Sequence, residues 1–177
     1  GDCHGSLKFY GINYKQVDLK DGEPDIEAIK LAAVDPSVTA VLIQRSRGYE
    51  NRKALSAEEV GEICRAVKSV APHVNVMVDN CYGEFTGEHE PTEYGVDIMA
   101  GSLIKNPGGG LAPTGGYIVG KKELVENAAM RLTTPGIGGE CGATLGNNRL
   151  MFQGFFMAPH IVAQAIKTVT FCAAMMK

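Results

Sequence analysis

Tryptophan is absent from the 177 residues, aromatic side chains make up only 7% of them, and nowhere do 18 apolar residues run uninterrupted. The last absence leaves no stretch that reads as a membrane-spanning helix. Lys and Arg number 17 against 20 Asp and Glu, a net charge of −3 with no block of one sign. Neither a nucleic acid nor an anionic membrane finds an electrostatic footing in such a chain. The five cysteines include no C-x-x-C pair and the four histidines no H-x-x-x-H. A zinc site and a disulfide framework are therefore unsupported, a reducing cytoplasm is the expected setting, and each cysteine reads as a small buried hydrophobe. No basic leader followed by an apolar stretch opens the chain. It begins "GDCHGSLKFYG" and stops inside the apolar "FCAAMMK", so residues 1–177 are expected to be part of a longer protein, truncated at both ends.

What is present has an order. Residues 12–19, "INYKQVDL", alternate as a strand would, and 23–34 place apolar residues at helical spacing. "VTAVLIQ" (38–44) is a β-branched run too short for a helix and reads as a buried strand. Ser56 with Glu59 forms an S-x-x-E capping box that opens a helix to about Val70, with Pro72 as its stop. Further strands are predicted at 74–79, 96–102 and 115–120. A helix over 121–132, a glycine-dense loop over 133–146 and a long helix from about Asn147 complete the chain. Short apolar strands alternating with helices indicate an α/β domain with a mainly parallel, doubly wound sheet, whose ligands gather at the carboxyl ends of the strands.

Three loops fall on that edge. "QRSRGYENR" carries Arg45, Arg47 and Arg52; Arg47 is the candidate for a substrate carboxylate or a phosphate, whereas Arg45 and Arg52 read as solvent-facing. "DNCY" begins with Asp79, a carboxylate ending an apolar strand, and places the Tyr82 phenol three residues on. A turn-forming aspartate and a packing tyrosine are the plainer alternatives. "GSLIKNPGGG" sets Lys105 between an apolar run and three glycines, with Ser102 three residues before it. Gly108, Gly109 and Gly110 invite the approach of an anion to backbone N–H groups, with a flexible hairpin as the alternative. An amine, a carboxylate and phosphate donors together match the needs of pyridoxal phosphate, with Lys105 desolvated enough to act as nucleophile and base. A nucleotide-binding use of the glycines is weak, since neither G-x-G-x-x-G nor G-x-x-x-x-G-K-[ST] stands between a strand and a helix.

The segments "VLIQRSRGY", "VDNCYGEF", "GSLIKNPGGGLAPTGGYIVG" and "APHIVAQA" resemble the methionine gamma-lyase family, also called the aluminium resistance protein family, of pyridoxal-phosphate fold type I. The resemblance runs along essentially the whole chain. It implies the central part of the large domain of such an enzyme, with Lys105 as the Schiff-base lysine and Asp79 paired with the pyridine nitrogen. It also implies Tyr82 near the cofactor's 3-oxygen and Ser102 near its phosphate. The activity implied is carbon–sulfur cleavage of a sulfur-containing amino acid by a homodimer or homotetramer. A transaminase, a β-lyase or a non-catalytic fragment on the same scaffold are the alternatives. The helix after Asn147, rich in aromatics and methionines, is expected in the core or at a subunit interface.

Overall fold

The structure, a computed structural model, describes residues 4–142 and 144–177. Its centre is a four-stranded sheet of β3 (Ala40–Gln44), β4 (Asn75–Asp79), β5 (Ile98–Ser102) and β6 (Gly116–Gly120), in that spatial order. It follows a short hairpin of β1 (Leu19–Lys20) and β2 (Glu23–Pro24). β3, β4 and β5 run parallel and β6 is antiparallel, so the sheet is mixed, with two of its three pairings parallel as expected. The predicted strand over 12–19 reduces to Leu19–Lys20; residues 12–18 form no regular element and are mostly exposed. Alternation alone does not make a strand there, because those residues have no neighbouring strand to complete a ladder.

α1 (Ile26–Ala33) begins where Asp25 Oδ1 accepts the Ala28 N–H at 3.0 Å, and α2 (Ala57–Val70) begins at the predicted box. Ser56 Oγ accepts the Glu59 N–H at 3.1 Å while Glu59 Oε2 accepts the Ser56 N–H at 2.8 Å. Both helices press their apolar faces on one side of the sheet. Ala33, Val60, Ile63, Cys64 and Val67 meet Ile43, Val76, Val78 and Met99 there. Pairing Val41 with Val76 and Ile43 with Val78 keeps those residues on one face. The intervening Leu42 and Met77 point the other way and are 65% and 40% exposed. Among the described residues, the doubly wound expectation is thus met on one face. α3 (Lys122–Leu132) follows β6, and a short 3-10 turn, Gly138–Cys141, interrupts the glycine-dense loop.

α4 (Asn148–Met175), expected in the core or at a subunit interface, lies largely outside the core of the described chain. Only Gly154, Ala158 and Val162 are buried, while Phe152, Phe155, Phe156 and Phe171 are exposed, so its aromatics do not form the core of the described chain. Its length and mean hydropathy are enough for a membrane crossing by composition alone, although Gln153, His160, Gln164 and Lys167 interrupt the apolar run. The cysteines also divide: Cys64 is buried as expected, but Cys81 is half-buried and Cys141 and Cys172 are exposed. These four are free thiols; Cys3 lies outside the described residues.

Two polar clusters fasten the sheet. At the amino end of β5 sits Asp97, wholly buried, between Lys68 Nζ of α2 (2.6 Å) and Lys121 Nζ (2.5 Å), with Oδ2 accepting the Val76 N–H at 2.7 Å. Burial pushes this carboxyl up, but the bonds from Lys121, Lys68 and Val76 outweigh it and hold the group below its ordinary value. At the carboxyl end lies Arg45, 4% exposed, which corrects its solvent-facing assignment. Its Nε donates to Leu55 O (3.1 Å), and its Nη1 to Asn80 Oδ1 (2.8 Å) and Glu90 Oε2 (3.2 Å). Asn80 Nδ2 also donates to the Tyr117 hydroxyl (3.1 Å), which donates to Glu84 Oε1 (2.6 Å). Burial pushes the Glu84 carboxyl up, and its Oε2 is buried with no hydrogen-bond partner.

Replacing Asp97 by Ala leaves the Val76 N–H without its acceptor and removes the partner of Lys68 and Lys121, and is expected to destabilise the fold by about 1–3 kcal/mol in urea denaturation. Because Asp97's carboxyl lies lower folded than unfolded, its stabilisation is present above the unfolded value and fades as pH falls through the folded one. The Asp97→Asn variant should therefore show a weaker loss of stability than wild type on acidification below about pH 4. Tyr117→Phe strips Glu84 Oε1 of its donor and should cost about 1–3 kcal/mol in the same measurement.

Candidate active site

A cleft of about 630 Å³ opens at the carboxyl ends of β3 and β4, lined among others by Arg47, Asp79, Cys81, Tyr82 and Lys105. Four of the five residues singled out in the sequence thus meet in one place. Ser102, at the end of β5, does not line it; its carbonyl accepts the Lys105 N–H at 3.2 Å instead. Ser102 pairs with Gly116 of β6, on the side of the sheet away from β3.

Asp79 closes β4 and folds the chain behind it: Oδ1 accepts the Cys81 N–H at 3.0 Å, and Gly83 N–H donates to Asn80 O at 2.9 Å. It is therefore both the turn-former and a wall of the cleft. The turn drives Tyr82 into the left-handed region, φ 68°, an unfavourable choice for a bulky residue that is upheld only by its surroundings. The Arg45 cluster supplies that support. A Cβ on Gly83 would lie 2.6 Å from both Cδ and Cζ of Arg45, so residue 83 has room for no side chain. Tyr82 is 60% exposed and offers its ring to Lys105, whose Nζ lies 4.3 Å from the ring centroid.

Lys105 is half-buried, neither free in solvent nor sealed from it. Burial pushes its ammonium down, but Cys81, Tyr82 and Asp79 together outweigh that and leave it above the ordinary lysine range. The expected desolvated, easily deprotonated lysine is thus not what the chain presents: the electron-rich surroundings win over partial burial. Cys81 is likewise held up, first by burial and then by Asp79, against the pull of Lys105.

Two of the three glycines serve packing, while Gly110 is exposed with open space beside it. Gly108 N–H donates to Lys105 O (3.0 Å) and Gly109 N–H to Asn106 O (3.1 Å), so neither is free for an anion. Gly109, φ 53°, lies against α4, where a Cβ would fall 3.2 Å from Ala158 N and clash with Gly154 O. Close backbone contact between this turn and α4 is what requires glycine here. Asn106 Nδ2 donates to Glu84 O at 3.0 Å, tying the lysine turn to the Asp79 loop. Of the other arginines, Arg52 is drawn in to the carbonyls of Gln44 (3.1 Å) and Lys53 (3.0 Å) and to that of Ser46, and is no free loop side chain. Sequence reading overlooked Cys81, Asn80, Glu84, Glu90 and Tyr117. The "DNCYGEF" string held three of them, but their partners lie far along the chain. Among the described residues no group of His, Cys, Asp or Glu is placed to hold a metal ion.

Comparison with known proteins gives the family. The profile of the family described as "Methionine gamma-lyase" matches residues 1–177. A 33.9 kDa uncharacterized protein of Lactobacillus delbrueckii subsp. bulgaricus is 53% identical over 98% of the chain, and YnbB of Bacillus subtilis 52% identical over 98%. The chain spans 57% and 41% of those proteins' lengths. The crystal structure of a "putative cystathionine beta-lyase involved in aluminum resistance" from Clostridium acetobutylicum superposes with a TM-score of 0.94. The two are 53% identical over 99% of this chain and 42% of that one. With the whole sequence matched and the fold shared, the chain belongs to the methionine gamma-lyase family.

Proposed function

We propose that the chain is the lysine-bearing part of a pyridoxal-phosphate-dependent carbon–sulfur lyase acting on a sulfur-containing amino acid. One observation carries this reading: Lys105 and Asp79, an amine and a carboxylate from different loops, face one cleft large enough for a cofactor. The donor set fits the ring end of pyridoxal phosphate. Lys105 would hold its aldehyde carbon, Asp79 would keep a proton on its ring nitrogen, and Tyr82 would lie near its 3-oxygen. The phosphate end is less well provided: Ser102 stands outside the cleft and the Gly108 and Gly109 N–H groups are spent. Arg47 is the cation in the cleft wall for a phosphate or a substrate carboxylate.

Bound there, the cofactor would supply an electron sink for a carbanion at the substrate Cα. The residues of the chain do the rest. Lys105, once freed by a substrate amine, would be the group that takes the Cα proton on Nζ. Asp79 would keep the ring nitrogen protonated, which is what lets the cofactor take up that charge. Loss of the thiol, followed by uptake of one water that releases ammonia and supplies the oxygen of a 2-oxo acid, would complete the reaction. Support for carbon–sulfur cleavage comes from the family and from relatives such as the Clostridium novyi protein described as a carbon–sulfur lyase involved in aluminum resistance, 54% identical over 93% of this chain. The exposed aromatics of α4 offer apolar surface for a homodimer or homotetramer, and the free thiols accord with a cytoplasmic enzyme.

The test is an absorbance titration with pyridoxal phosphate. The chain should develop a band near the visible edge, trapped on Lys105 by borohydride and lost in Lys105→Ala. Because the Lys105 ammonium must shed a proton to bond an aldehyde, affinity should rise with pH between 7 and 9, by up to about tenfold per unit. With the loaded protein, thiol and ammonia should appear from methionine or cystathionine. Turnover that depends on an added 2-oxo acid would show a transaminase instead, and no band in the chain or its full-length parent would overturn the reading.

A further inference from the structure

Glu84 is a buried carboxyl that the proposed reaction leaves unused. It is 4% exposed, and among the described residues no lysine, arginine or histidine nitrogen pairs with it within 4 Å. The cation of its cluster, Arg45, is already matched, since Nη1 donates to Glu90 Oε2 at 3.2 Å. Glu90 is also the carboxylate that the donors surround: Oε2 accepts Asn80 Nδ2 and Oε1 accepts the Phe85 N–H, each at 3.0 Å. Glu84 receives the Tyr117 hydroxyl on Oε1 at 2.6 Å, and its Oε2 is buried with no partner. Gly101 of β5 closes off the other side, where a Cβ would clash with Glu84 Oε1 and the Tyr117 hydroxyl. One cation and two carboxylates leave the cluster with an unmatched negative charge unless Glu84 keeps a proton. A buried neutral O–H without an acceptor costs far less than a buried charge without a donor.

We propose that Glu84 is a positioning residue that works as the uncharged acid: its side chain stays sealed against Gly101 and Tyr117 while its carbonyl, accepting Asn106 Nδ2 at 3.0 Å, fastens the turn of Lys105 to the loop of Asp79. Once ionised, the carboxyl has to reach a further donor or water, and it does so only by shifting the backbone that holds Asn106. Burial pushes this carboxyl up and Glu90 adds to that, against the pull of Tyr117 and Arg45. The other neighbours, Asn80, Gly101 and the Phe85–Phe155 ring pair that joins the loop to α4, carry no charge. The inference rests on the lyase reading only for what Lys105 does once held.

The test needs no cofactor. With glutamate carboxyls labelled with carbon-13, the infrared spectrum of wild type at neutral pH should carry the band of a protonated carboxylic acid, shifted by the label and lost in Glu84→Gln. With its carboxyl higher folded than unfolded, Glu84 contributes stability that is full below the unfolded value and lost as pH rises through the folded one. The unfolding constant of wild type should therefore grow relative to that of Glu84→Gln, by up to about tenfold per unit above about pH 4. Hydrogen exchange across the Lys105 turn should match in the two proteins while the band persists and quicken in wild type where it fades. If wild type unfolds first, Glu84→Gln should unfold at the higher pH. No band at neutral pH, or a ratio of unfolding constants that stays flat, overturns the uncharged acid. Exchange that coincides up to a shared unfolding pH overturns the fastening. Should Glu84→Gln fail to fold by circular dichroism, the labelled wild-type spectrum decides alone: a band supports, its absence overturns. A chain that meets these expectations but takes up no pyridoxal phosphate keeps the inference and loses the lyase reading. One that takes up the cofactor without the band does the reverse.

Discussion

A guanidinium buried at the end of β3 organises the edge on which the site is built. Arg45 carries five N–H donors and no acceptor, so sealing it from water is tolerable only if carbonyls and carboxylates come to it. They come from three directions: Leu55 ahead of α2, Asn80 beyond β4, and Glu90 at the far end of the same loop. The Arg45 N–H also extends the ladder to Asp79 O at 3.0 Å. The charge of one side chain thereby fixes where β4 ends and how the chain turns after it. Glycine at 83 and the left-handed backbone of Tyr82 follow from that turn. Remove the arginine and the acceptors around it become the unsatisfied groups.

The network does not stop at the Asp79 loop. Asn80 hands on to Tyr117 of β6, Tyr117 to Glu84, and the Glu84 carbonyl to Asn106, the residue after Lys105. A continuous run of hydrogen bonds therefore connects the strand end that bears Arg45 to the turn that bears the lysine. From the other side that turn is pressed on α4 through Gly109 and Gly154. The amine of Lys105 is thus carried on a backbone fixed twice over, and rests on the face of Tyr82.

Much of the scaffold was legible because its causes are local. The Ser56–Glu59 box acts within three residues, and the β-branched runs at 38–44 and 74–79 announce burial by themselves. Asp79, Tyr82, Arg47 and Lys105 could be gathered from topology alone, since parallel strands deliver their carboxyl ends to one edge. What stayed hidden depends on partners distant in sequence. Arg45 looks like any loop arginine until Asn80 and Glu90, 35 and 45 residues on, are brought to it. Gly108 and Gly109 of "NPGGG" look like part of an anion cradle until α4 arrives against them. Residues 12–18 alternate as a strand does, but no ladder waits for them.

The charge state of Lys105 sets the direction in which the site has to work. In the chain as described, the surrounding sulfur, phenol and carboxylate hold the ammonium more firmly than water does. An amine so held neither attacks a carbonyl nor accepts a proton until its proton is removed or its neighbours are engaged elsewhere. A ligand that occupies Asp79 with a ring cation withdraws the carboxylate's influence. One that covers Tyr82 takes away the aromatic face and the solvent together. Each step moves Lys105 in the same direction, toward the neutral amine.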